Sequence, residues 1–174
     1  YFSGILSLNH DQISDGFEYL NKAKELKTKH QNFNTQYIYS LILLNKFKEA
    51  FSFSRSVWKK DEFFFEADLL LGLEHFIKKD YLKAEKHFER LSNKSEYNLF
   101  FDAFFENFLL SWSKAAENNI IKSFELNEKI PERYMQLKRI QNSFLNCYFD
   151  NKKTESSFKK LIGNKESGYS RYIY

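Results

Sequence analysis

The side chains best suited to chemistry in this 174-residue chain are four histidines, one cysteine and scattered carboxylates. His75 follows Glu74, but His10, His30 and His87 all lie more than five residues from it. A zinc-binding helix needs two histidines about four residues apart, where they share a face. Cys147 stands alone, so neither a zinc knuckle nor an internal disulfide is available. Its apolar neighbours predict a small hydrophobe buried on a helix face. Asp102 and Glu106 form an acidic pair at i, i+4, able to ligate a cation or exchange a proton, although a solvated helix edge is the commoner arrangement. The five glycines make neither a Walker nor a Rossmann fingerprint, and no serine sits in a nucleophile elbow. Lys78-Lys79 and Lys152-Lys153 fall in turns and read as solubilising charge. The expectation is a protein that is not an enzyme, with no catalytic residue, no metal and no cofactor.

Composition describes the elements that remain. Charged residues are 29% and hydrophobic ones 43%, enough for both a surface and a core. One proline and five glycines argue against β-sandwiches, collagen-like sequence and flexible linkers. A net charge of +4 is modest, whereas a nucleic-acid surface carries more, clustered on one face. The most apolar window, Phe100 to Trp112, contains Asp102, Glu106 and Asn107, so no membrane span is expected. One cysteine and no visible signal peptide point to the cytoplasm, and a start at Tyr1 leaves room for a removed leader.

The organising feature is a period. Gly16, Ala50 and Ala84 are spaced at 34 residues, and each has an apolar or aromatic residue three places earlier: Ile13, Phe47 and Tyr81. Gly4 and Gly72 lie two periods apart on the preceding segments, with Ile38 breaking the pattern between them. Glycine inside a helix costs about 1 kcal/mol relative to alanine, so its recurrence on one period indicates close packing. The stretch Leu71 to Phe88 shows the unit: a helix carrying Gly72, a short polar turn, and a helix carrying Ala84. Helices joined by so short a turn pack antiparallel and approach most closely at their small residues.

A period of 34 with two helices per unit resembles the tetratricopeptide repeat (TPR) family. The family's leucine and small residue on the first helix are matched by Leu71 and Gly72. Its aromatic, alanine and aromatic on the second are matched by Tyr81, Ala84 and Phe88. The second unit keeps Phe47 and Ala50, and the first keeps Gly4 and Gly16; the tryptophan often seen near the start of a repeat is missing. The resemblance implies an all-α fold, an α-α superhelix (TPR-like solenoid) of antiparallel helix pairs. The first helices would line a concave groove that holds a peptide or helix of a partner.

Along the chain the units run over about 1–28, 31–60, 62–92, 95–130 and 131–163. A sixth starts at 168–174, so the chain reads as a single array, 1–174, cut from a longer one. Asn45 and Asp80 are expected to cap the second helices of units two and three, and Ser95 to cap the long helix of unit four. The segment Phe63 to Ile77 is apolar nearly all round, which fits a middle repeat or the central helix of another all-α bundle. Thirty-nine residues separate Ala84 from Ser123, which has Ile120 before it and Ser111 on the preceding helix, so unit four carries five extra residues. Pro131 starts the next helix, along which Tyr134, Leu137, Ile140, Phe144 and Tyr148 recur at helical spacing.

Carried onto these units, the resemblance assigns Tyr39, Ile42, Leu69, Leu73 and Phe76 to the groove, continued by Phe105, Phe108 and Trp112 with Phe101 and Phe104 beside them. Thr35, Tyr39, Leu69 and Leu73 stand where one chaperone-binding subclass clamps a carboxylate, and their chemistry is wrong for that. The expected function is a protein-interaction scaffold whose partner is an apolar or amphipathic segment, with self-association open. The alternatives are an RNA-binding helical repeat, which would need polar base-reading side chains and a basic face, and a regulatory or spacer segment of a longer enzyme.

Overall fold

The computed structural model describes residues 1–92 and 103–163. Among these the chain is built of helices, with one isolated bridge between Lys59 and Glu62. The α-helices are α1 (Phe2–Asn9), α2 (Ile13–Lys22), α3 (Gln31–Leu43), α4 (Phe47–Val57), α5 (Phe65–Ile77), α6 (Tyr81–Arg90), α7 (Phe104–Ala116), α8 (Ile120–Glu128), α9 (Met135–Tyr148) and α10 (Thr154–Gly163). Short 3-10 segments follow α2 (Lys24–Thr28) and precede α9 (Glu132–Tyr134). The chain divides into two compact units, Tyr1–His87 and Phe88–Tyr174.

The period reappears in the backbone. Asp11, Asn45, Lys79, Asn118 and Asp150 take left-handed conformations, with φ of 58°, 56°, 61°, 60° and 49°. Each follows the first helix of a pair and reverses the chain. The residue after each donates its N–H to the carbonyl five places back: Gln12 to Ser7, Lys46 to Leu41, Asp80 to His75, Asn119 to Lys114 and Asn151 to Asn146, at 2.8–2.9 Å. These bonds satisfy carbonyls that a helix end leaves orphaned. Asparagine and aspartate bear left-handed backbone better than most residues; Lys79 is the exception among the five.

In four pairs the second helix begins at the residue three before the small one: Ile13, Phe47, Tyr81 and Ile120. In the first pair α1 and α2 touch through Gly4 and Gly16, where an added Cβ on Gly4 would meet the Gly16 carbonyl oxygen at 3.1 Å. In the second and third pairs Ile38, Ala50, Gly72 and Ala84 are all buried. In the fourth, Ser111 donates its hydroxyl to the Ser123 carbonyl at 2.8 Å, so the crossing expected from the 39-residue step is present and hydrogen-bonded.

The core of the first unit gathers Leu8, Leu20, Phe33, Tyr37, Ile38, Leu41 and Ala50 with Phe64, Ala67 and Leu70. Second helices pack on the first helices that follow, α2 on α3 and α4 on α5. This explains why α5 buries Ala67, Leu70, Leu71 and Gly72 on several sides.

Several expectations are corrected. Asn45 does not cap α4: it makes the left-handed turn, and Lys46 precedes the helix. The helix expected from Gln12 to about Lys27 gives way after Lys22 to a 3-10 segment. Cys147 is exposed rather than buried, because the end of α9 presents its aromatic stripe outward, with Phe144 and Tyr148 exposed too. Asp80 does cap α6: its carboxylate takes bonds from the Lys83 side chain and backbone N–H and is held below the usual carboxylate range, the side-chain bond acting most. Ser95, Phe101, Asp102 and the sixth unit lie outside the described residues.

Candidate functional site

α3 and α5 are the first helices of consecutive pairs, so positions 34 residues apart are equivalent: Thr35 with Leu69, Tyr39 with Leu73, Ile42 with Phe76. A cleft of about 360 Å³ opens here. It is lined by Thr35, Gln36, Ile38, Tyr39 and Ile42 of α3, by Glu66, Leu69 and Leu70 of α5, and by Asn9 at the end of α1. Its volume lies in the range of small binding sites. Tyr39 is 49% exposed, while Ile38 and Leu70 are buried beneath it. Glu66 is the one charged side chain among the lining residues. Burial pushes its carboxyl above the usual range, opposed by hydrogen bonds that include one from Thr35.

Three of the expected groove residues, Tyr39, Ile42 and Leu69, therefore share one cleft. Leu73 and Phe76 do not line it. They lie one and two turns further along α5, and both are half-buried, Phe76 standing edge-on to Tyr81 with ring centres 5.6 Å apart. In the second unit Phe105, Phe108 and Trp112 are half-buried. Phe105 and Phe108 pack against buried Phe104, at 5.4 and 5.7 Å between ring centres, and Phe104 meets Tyr134 at 5.1 Å. The Trp112 ring N–H donates to Gln141 Oε1 at 2.8 Å, and its ring stands edge-on to Tyr148. Those contacts tie α7 to α9.

A polar cluster went unpredicted. Asp68 on α5 is fully buried and accepts from the Trp58 indole N–H at 2.7 Å, with His87 Nδ1 3.0 Å away on the same oxygen. The His87 ring lies nearly parallel to that of His75, 5.8 Å apart. Burial holds His75 below its ordinary range, partly opposed by Asp80. Next to it, Glu74 accepts from Arg55 and from Lys78. Burial raises the Glu74 carboxyl, but the two cations outweigh it and the net shift is downward. The signal was available: a carboxylate in a helix apolar on every side must find donors. Asp68 takes the ends of α4 and α6 as those donors, which makes the cluster a clasp between helices. Among the described residues no group of three His, Cys, Asp or Glu is placed to hold a metal ion. Nor is any described helix long and apolar enough to cross a membrane.

No family model matches the chain, and no curated protein matches it significantly by sequence. Solved structures do match. MamA from Desulfovibrio magneticus RS-1, in a form running from its position 41 to the end, superposes with a TM-score of 0.72. The match covers 95% of this chain and 92% of that one at 18% identity. A MamA RS-1 ArsTM double mutant superposes with a TM-score of 0.71, covering 96% and 93%, also at 18% identity. The left-handed turns, the small-residue crossings and these superpositions agree: the chain has the all-α fold of antiparallel helix pairs seen in MamA, a TPR-like helical repeat protein.

Proposed function

We propose that this protein is a non-enzymatic interaction scaffold whose α3–α5 cleft holds an apolar or amphipathic segment of a partner protein or peptide. The observation that carries the reading is that Tyr39, Ile42 and Leu69 line one cleft with Tyr39 half exposed at its rim. Covering an aromatic rim over an apolar floor removes hydrocarbon from water, at about 25 cal/mol per Å². Aromatic anchors in such pockets carry a large share of binding energy in known interfaces. Leu73 and Phe76 extend this surface along α5, and Phe105, Phe108 and Trp112 form a second surface for the same class of partner. The five helix pairs act as repeats of one array.

The test is selection of a displayed random library of 12-residue peptides on the intact protein, followed by fluorescence anisotropy of the enriched sequences. Tyr39→Ala and Ile42→Ala are expected to weaken them about tenfold, the loss of one good anchor. Leu82→Ala, at an exposed position on α6, should leave them unchanged. Failure to enrich any peptide, or binding indifferent to both cleft variants, overturns the proposal.

A further inference from the structure

We infer that the segment held in the α3–α5 cleft carries a lysine or arginine that pairs with Glu66. The inference rests on the cleft being the binding surface, and it names the chemistry of the occupant. Glu66 is the only charged residue lining the cleft, and no lysine or arginine among the described residues lines it. The carboxylate sits beside Leu69 and Leu70 with the Thr35 hydroxyl as its side-chain donor. One hydroxyl leaves most of a carboxylate's acceptor capacity unfilled. The upward shift of its carboxyl shows that the surroundings penalise the charge. An occupant that displaced water from the cleft would deepen that penalty unless it brought a positive charge with it.

An occupant bearing a carboxylate would set two like charges against an apolar floor, and a wholly apolar one would strand Glu66. A cation relieves both problems, and pairs more strongly in so dry a setting than in water. The geometry also sets a spacing. Glu66 and Leu69 are three residues apart on one face of α5, about 5–6 Å between Cβ atoms. The base and the apolar anchor of the occupant should therefore lie about one helical turn apart, or two residues apart in an extended segment.

The experiment repeats the library selection on the wild-type protein and on Glu66→Gln, which keeps the side-chain shape. Sequences enriched on the wild type should combine an apolar anchor with a lysine or arginine at that spacing. Replacing the base by norleucine should cost about tenfold in Kd against the wild type and nothing against Glu66→Gln, as coupling between two partners requires. Enriched peptides without a base, or a base whose replacement costs the same against both proteins, overturn the inference. The cleft reading survives either result provided Tyr39→Ala still weakens binding. If neither Tyr39→Ala nor Ile42→Ala alters binding, the cleft reading falls and this inference with it. Sedimentation equilibrium closes the remaining route: a dimer dissolved by Glu66→Gln would make a second copy the occupant and overturn the assignment to a separate partner.

Discussion

Replacing Gly16 by alanine sets two opposing effects against each other at the α1–α2 crossing. Alanine is the better helix former by about 1 kcal/mol, and Gly16 lies within α2. On helix propensity alone the variant should be more stable. The crossing opposes it. A Cβ on Gly16 would meet Leu8 Cγ and Cδ2 at 2.8 Å and the Gly4 carbonyl oxygen at 3.1 Å, where carbon contacts ordinarily settle near 3.5–4.0 Å. Leu8 Cγ is a branch point on a buried side chain and has little room to yield, and the carbonyl belongs to helix backbone. Overpacking of this kind costs about 1–3 kcal/mol, so the net expectation is a loss of about 1–2 kcal/mol once propensity is offset. Urea unfolding should show it, and thermal melting should fall by about 2–4 °C for each kcal/mol in a chain of this length. A double-mutant cycle with Leu8→Ala sharpens the test. If Leu8 is the obstacle, Gly16→Ala should cost less by about 1 kcal/mol in the Leu8→Ala background. A Gly16→Ala protein as stable as the wild type, or a cycle showing no coupling, would refute the close-approach account.

Ala84→Leu should also overpack, losing about 1–3 kcal/mol, because Ala84 is fully buried opposite α5; an unchanged urea midpoint would remove it from the crossing. Lys79→Gly should raise stability by about 1 kcal/mol, since glycine adopts φ near 61° without the Cβ penalty that lysine bears there. Equilibrium unfolding measures it, and a loss would mean the turn is held by the lysine side chain. The two carboxylates of α5 should give opposite pH slopes. Glu74 is depressed in the folded protein, so its contribution is present above the ordinary value of 4.5 and is lost as pH falls through the lower folded value. Glu66 is raised, so its contribution is greatest below 4.5 and is lost as pH rises through the folded value. Glu74→Gln should therefore flatten the acid loss of stability and Glu66→Gln should steepen it, both read from urea midpoints between pH 3 and pH 7.

The parts of the fold legible in the sequence are those set by local sterics repeated on a period. Gly16, Ala50, Ala84 and Ser123 mark the crossings because only small residues let helices approach, and this survives the five-residue step before unit four. The last pair shows the limit. Asp150 makes its turn 32 residues after Asn118, but α10 starts only at Thr154, so Asn151-Lys152-Lys153 lengthens the loop in a way no composition signal reveals. The cleft was half legible. Tyr39, Ile42 and Leu69 follow from equivalent positions on neighbouring first helices, whereas Leu73 and Phe76 move out of it with the rise of α5. Glu66 went unnoticed because a single acid among apolar neighbours looks like a helix surface until the cleft around it is seen. The Asp68 clasp depends on partners ten and nineteen residues away, a separation that no helical spacing encodes. Cys147 was misjudged because an apolar stripe does not say which of two open faces it covers.

The left-handed turns bear on how the protein ages. Asparagine deamidates, and aspartate isomerises, when the next residue's backbone nitrogen attacks the side-chain carbonyl to close a five-membered imide. At Asn45 and Asn118 that nitrogen belongs to Lys46 and Asn119, and at Asp11 and Asp150 to Gln12 and Asn151. In every case its N–H is already engaged with the helix carbonyl five residues back. The same bond that ends each helix withholds the nucleophile from this chemistry. Chemical damage at these four sites should therefore accumulate at the rate their hairpins open, and the old molecules in a population would carry a covalent record of how often each turn has come undone.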